Sequence, residues 1–196
     1  MNQITNTEKY WMDIADQIAQ ASTCRVKIGC VLVHKKIIVG TGFVGSVSGD
    51  AHCHGAFINA EDDVGCMLVE TDIHGSSERN ESCIRTMHAE MNAVLKCQIR
   101  GNKQNGWIMA FCTYQPCLRC LQAMLQIGVR IIIYRKSYRD VWRDRYLQET
   151  KTLFDIRKYN ENNELFVMSG NAYYSEFAAN KNKGQQTTPF IYWDGI

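Results

Sequence analysis

Short β-branched runs that alternate with helix-length amphipathic stretches constrain this chain more than any other feature. WIMAFCTY at 107–114 and VRIIIY at 129–134 have the length and residue types of buried strands. Between them, Pro116 to about Ile127 reads as a helix, and Tyr138 to about Leu153 reads as another before a last strand near DIRKYN. Earlier in the chain KIGCVLVH and KIIVGTGF, joined by a tight polar turn at Lys35 and Lys36, read as an antiparallel hairpin. A helix follows from about Met87 to Gln98. Near the start, Tyr10, Trp11, Ile14, Ala15, Ile18 and Ala19 recur at helical spacing, with Thr5 and Glu8 set as a capping box. Strands and helices in this order predict an α/β fold of three layers, α/β/α, in which a mixed sheet is covered by helices on its faces.

A chain of 196 residues, 45% hydrophobic, is long enough for one core and too short for two. We assign residues 1–160 to one domain, with a loop poor in regular pattern inserted at about 45–85, and residues 161–196 to a polar peripheral tail ending in FIYWDGI. The net charge of +2 is far below that of a dedicated nucleic-acid binder. The middle third is nevertheless basic: Arg130, Arg135, Lys136, Arg143 and Arg145 belong to a run that either faces an anion or forms an ordinary solvated surface. Nine cysteines with no apolar leader segment at the N-terminus point to reduced thiols in the cytoplasm, bound to metal or buried as small apolar groups. No run of residues is apolar for long enough to span a bilayer, so a membrane role is not expected.

The chemistry gathers in TMHAEMNAV and TYQPCLRC. His88, Glu90, Cys117 and Cys120 fit the pattern His-x-Glu, then Pro-Cys-x-x-Cys, that zinc deaminases use. One nitrogen and two sulfurs leave a fourth position free, whereas a structural zinc is normally closed by four protein donors. Pro116 suits a first helical turn, so Cys117 and Cys120 face the same way, and the helix's positive end favours their thiolates. Glu90, two residues after His88, stays off the metal and within reach of its water, whose pKa zinc lowers from about 15.7 to about 7. Glu90 then moves the proton from water to the ring nitrogen and helps ammonia depart. The competing interpretation is a closed structural site completed by another cysteine.

These residues, with STCRVKIGCVLV, CIRTMHAEMNAVL and YRKSYRD, resemble the deoxycytidylate (dCMP) deaminase family of the cytidine deaminase superfamily over most of the chain to about Asn160. The resemblance implies a five-stranded mixed sheet flanked by helices, and zinc held by His88, Cys117 and Cys120. It also implies conversion of dCMP to dUMP, assembly into dimers or hexamers, and feedback control by dCTP and dTTP. The chain departs from the family's Gly-Tyr-Asn-Gly at Gly42, Phe43, Val44 and Gly45. Valine cannot hydrogen-bond a sugar hydroxyl or an effector, so feedback is expected to be altered or absent, or the substrate to be dCTP or a 5-substituted dCMP. Phe43, Val44, Tyr138 and Arg139 are the candidate nucleotide contacts.

Related enzymes carry a second, structural zinc in the region of the loop. Here Cys24, Cys53 and Cys83, with Cys66 or one of His52, His54 and His74 as fourth donor, are the candidates; separate buried thiols are the alternative. Cys30, Cys97 and Cys112 are expected to pack in the core. Two further functions compete with a nucleotide deaminase. A polynucleotide deaminase needs a basic, aromatic-lined track. A non-catalytic zinc module would have no use for Glu90.

Overall fold

The computed structural model describes residues 6–50, 52–53, 65–66, 68–71, 80–138, 140–150, 154–159 and 166–169. Helix α1 (Asn6–Gln20) precedes the hairpin of β1 (Gly29–His34) and β2 (Ile37–Phe43). The short strands β3 (Gly45–Ser46), β4 (Leu68–Thr71), β5 (Asn80–Cys83) and β6 (Thr86–Met87) come next. Then follow α2 (Ala89–Lys96), β7 (Ile108–Tyr114), α3 (Leu118–Gln126), β8 (Val129–Lys136), α4 (Val141–Glu149), β9 (Asp155–Lys158) and β10 (Phe166–Ser169). Thr5, His54, His74, Arg139 and the terminal FIYWDGI lie outside the described residues.

The central sheet has the order β10-β9-β8-β7-β1-β2. β7, β8 and β9 run parallel, joined through α3 and α4, while β1 is antiparallel to both β2 and β7. This is the expected mixed five-stranded core. A sixth strand adds to it: β10 pairs antiparallel with β9 from Phe166↔Lys158 to Ser169↔Asp155, so the sheet continues past the boundary set at residue 160. So short a run carries little strand signal by itself, and the pairing with β9 supplies the order.

Alternation of side chains across the strands divides the core in two. On one face Val31, Val33, Phe111, Ile131 and Ile133 pack under α1 through Trp11, Met12 and Ala15. On the other, Cys30, Leu32, Ala110, Cys112 and Ile132 pack beneath α2, α3 and α4 with Ala93, Leu121, Met124 and Leu147. Met12 takes a place on the buried stripe of α1, while Tyr10, counted in that stripe by spacing, is exposed. Cys30, Cys97 and Cys112 are core residues, as expected.

The β1–β2 turn places Lys35 and Lys36 at φ of 49° and 61°, a left-handed pair of the kind that two-residue hairpins require and that glycine and asparagine adopt most easily. Lys36→Gly should therefore raise stability by about 0.5–1 kcal/mol, read as a higher midpoint in urea at unchanged slope. A lower midpoint would show that the lysine side chain contributes more than the strain costs.

The described residues of the inserted segment include short paired strands that its composition does not predict. β4 pairs with β5 and β3 with β6, both antiparallel, making two small ribbons outside the main sheet. The second ribbon ends at Met87, immediately before His88.

Candidate metal centre

His88 and Cys117 occupy equivalent places: each is the N-cap of a helix, in extended conformation, without a capping hydrogen bond from its own side chain. Both had been expected to stand close to helix starts, Cys117 within the first turn. In the fold they sit one residue earlier, which frees both side chains to point at a common centre. Cys120 lies in the first turn of α3 and completes the group. The two helix N-termini thus direct partial positive charge toward the sulfurs.

The distances fit a zinc ion. His88 Nδ1 lies 3.5 Å from Cys117 Sγ and 3.4 Å from Cys120 Sγ. Tetrahedral bonds of normal length to zinc would separate nitrogen and sulfur by about 3.6 Å. Protons are already polarised within the trio. The Cys120 thiol, donating to Cys117, brings the Cys117 thiol down to about 4, helped by His88. The Cys117 sulfur in turn lifts His88 to about 9, and Cys120 is pushed far above its ordinary value by holding the proton it shares with Cys117.

Glu90, on the first turn of α2, is not one of the three donors, and only 4% of it is exposed. Burial raises its carboxyl above the usual range, partly opposed by the charge of His88. Tyr138 is half-buried alongside: burial lifts its phenol to about 12, with further repulsion from Cys117, Asp140 and Glu90. Its backbone N–H donates to Gln115 Oε1 at 3.3 Å.

The signature helix is fastened to β2. Asn92 Nδ2 donates to the Phe43 carbonyl at 2.9 Å, and the backbone of α2 passes so near Gly42 that a Cβ there would meet the Ala89 carbonyl oxygen at 2.1 Å and the Ala93 nitrogen at 2.5 Å. Those neighbours are backbone atoms, so Gly42→Ala must push the first turn of α2 outward by about 1 Å. A displacement of that size can cost about 10²-fold in rate. We expect that loss in kcat/KM with metal content retained; full activity would mean that the helix end does not set the geometry.

A second donor group gathers Cys24, Cys53, Cys66 and Cys83, all four sulfurs lying within 4.8 Å of one another. Cys24 and Cys66 are 3.7 Å apart, Cys53 and Cys83 3.5 Å, close to the roughly 3.8 Å edge of a tetrahedral zinc–thiolate site. Cys66 rather than His52 stands with the other three; His52 is exposed. Burial drives the Cys53 thiol up to about 12.

Val44 packs against this second group. It is 6% exposed, packed with Cys24 and Cys53 and bordered by Ile28, Cys66 and Cys83. Its N–H donates to the Ile28 carbonyl and its own carbonyl accepts from Ser22 Oγ. An apolar side chain here fills the wall of a cysteine cluster. Phe43, half-buried, has the Lys96 ammonium 5.7 Å from its ring centroid.

Several of the basic residues that could have faced an anion have partners inside the chain. Arg135 pairs with Asp16 at 2.6 Å, Arg145 with Glu149 at 2.9 Å, and Arg130 donates to the carbonyls of Leu125 and Val129. Asp140 and Asn92 were missed in the sequence, and Arg143, read there as part of a basic run facing an anion or solvent, is buried. An aspartate directly before an amphipathic stretch is an N-cap signal that would have identified Asp140.

Two sulfurs and an imidazole within 4.8 Å of one another make this an α/β protein with a three-donor cluster of the kind that holds zinc. Residues 5–136 match the family described as cytidine and deoxycytidylate deaminase zinc-binding region. The chain belongs to that family. It is 30% identical over 132 residues to ComE operon protein 2 of Bacillus subtilis, covering 67% of this chain and 60% of that protein. It is likewise 30% identical over 132 residues to deoxycytidylate deaminase of Schizosaccharomyces pombe, covering 67% of this chain and 37% of that one. The match thus spans well under the full length of either relative. Among solved structures, dCMP deaminase from the cyanophage S-TIM5 in complex with dCMP and dUMP has a TM-score of 0.56 at 23% identity, over 81% of this chain and 100% of that one. That likeness establishes the fold. Among the described residues, no helix is long and apolar enough to cross a membrane.

Proposed function

We propose that this chain hydrolyses dCMP to dUMP and ammonia, with zinc held by His88, Cys117 and Cys120. The observation that carries the reading is the buried Glu90 carboxyl beside a three-donor cluster to which it does not belong. A purely structural zinc site has no need of that group. Zinc, when bound, supplies the Lewis acidity that makes water nucleophilic at neutral pH. Glu90 accepts a proton from the attacking water and delivers it to the ring nitrogen beside the amino-bearing carbon. It then relays the second water proton to the amino group, so that water enters and ammonia leaves with charge balanced. A carboxyl raised by burial suits this work, because it holds a proton between the two transfers. Tyr138 and Phe43 are proposed to border the nucleotide, Tyr138 through its position beside Cys117 and Glu90.

Product formation from equal concentrations of dCMP, dCTP, 5-methyl-dCMP, deoxycytidine and a single-stranded oligonucleotide tests the substrate. Preferred conversion of dCMP is expected. Faster reaction of dCTP or the methylated nucleotide would reassign the substrate within the same chemistry, and turnover of the oligonucleotide alone would make this a polynucleotide deaminase.

The four-cysteine group is proposed as the site of a second, structural zinc. Its sulfurs would tie the described parts of the inserted segment to Cys24 and the small cluster around Val44. Metal analysis should find two zinc ions per chain, with one released on His88→Ala; a single zinc in the unsubstituted protein would reject the second site.

A further inference from the structure

We propose that Asp140 and Arg143 are positioning residues that clamp the backbone on both sides of Cys117 and so fix the geometry of the metal centre. This rests on the reading of Cys117 as a zinc ligand. An N-cap residue ordinarily satisfies the first N–H groups of its helix with its own side chain. Cys117 does not: its sulfur faces His88, and α3 is left without a cap from within.

The missing acceptor comes from another helix. Asp140 Oδ2 accepts the N–H of Leu118, the residue after Cys117, at 2.8 Å. Its other oxygen, Oδ1, accepts the Arg143 N–H at 3.0 Å and caps α4. One carboxylate therefore joins the N-termini of α3 and α4. On the far side of Cys117, Arg143 Nη1 donates to the Pro116 carbonyl at 3.2 Å, and the same guanidinium is held by Asp144 Oδ1 at 2.7 Å from Nη2. Both peptide groups that flank Cys117 are thus gripped from α4.

Burial distinguishes this arrangement from ordinary capping. Asp140 is 0% exposed and Arg143 2%. Withdrawing a carboxylate and a guanidinium from water is costly, and a serine or threonine would cap α4 without that cost. What the charged pair adds is reach: it spans from α4 to the two peptide groups that orient the thiolate. Groups that orient metal ligands from behind in this way typically change metal affinity by about 10- to 100-fold when removed.

The test uses full-length protein. Asp140→Ser keeps a cap for α4 but is too short to hold Leu118 as well, and Arg143→Met keeps the buried length while losing the donor to Pro116. Leu147→Val loosens the packing of α4 without touching Cys117's backbone, and serves as a control of matched Tm. Zinc release to a chelator is followed by absorbance. Cobalt spectra are recorded as differences against His88→Ala, which isolates the three-donor site from the four-cysteine group. We expect zinc release about 10- to 100-fold faster in Asp140→Ser and Arg143→Met, with shifted cobalt bands, and wild-type behaviour in Leu147→Val. Wild-type release rates and spectra in both clamp variants, or equally fast release from Leu147→Val, would overturn the assignment. If wild type and His88→Ala bind the same amount of cobalt, the three-donor site holds no metal, and the functional reading falls together with the clamp.

Discussion

Glu90→Gln should retain zinc and lose about two to four orders of magnitude in turnover of dCMP. The amide keeps the shape of the carboxyl in a place that is almost fully buried, so packing around α2 changes little. It cannot accept the proton of the attacking water. The expected signature is a drop in kcat with KM for dCMP nearly unchanged, since an interaction used only in the transition state is lost. Metal analysis on the same preparation separates this outcome from loss of zinc. Near-normal turnover with full zinc occupancy would falsify the role given to Glu90 and favour a structural use of the centre.

Cys53→Ser should remove one zinc per chain and lower thermal stability markedly. Cys53 is among the most buried residues of the inserted segment, with its sulfur 3.5 Å from that of Cys83. Structural zinc contributes about 10–16 kcal/mol of apparent free energy to small zinc-finger peptides. Here the main sheet folds around its own core, so a loss of roughly 3 kcal/mol is a reasonable lower figure, equivalent to about 6–12 °C in Tm for a chain of this size. Activity should fall as well, because Cys83 leads through β6 to His88 and Val44 adjoins Phe43, to which α2 is fastened. Calorimetry and metal analysis decide together: unchanged zinc content and Tm would reduce the four cysteines to buried thiols.

Much of this arrangement was legible in the residues. β-branched runs with helix-length spacers define the sheet and its covering helices, because the central strands β1, β7 and β8 bury both faces. The three donors and Glu90 were identifiable because zinc chemistry restricts ligand type and spacing so narrowly. Less legible were the features that depend on distant contacts. Helix α4 begins at Val141 rather than Tyr138 because Asp140 ends the preceding segment as a cap shared with α3, and only the fold brings Leu118 to it. The surroundings of Val44 were hidden for a related reason: its side chain meets Cys24 and Cys53, partners distant in sequence. The fourth donor could not be chosen among Cys66 and three histidines by spacing alone; among the described residues Cys66, and not His52, stands with the other three sulfurs.

Strand β10 carries a consequence for how molecules of this protein behave toward one another. Its hydrogen bonds with β9 cover what would otherwise be the open margin of the central sheet. Shortening the chain before Phe166 would bare the backbone donors and acceptors of Asp155–Lys158, a ready template for strand addition by a neighbouring molecule. The charges of Asp155, Arg157 and Lys158 would then discourage such pairing. The four residues of β10 therefore move the margin of the sheet outward by one strand, from β9 to β10.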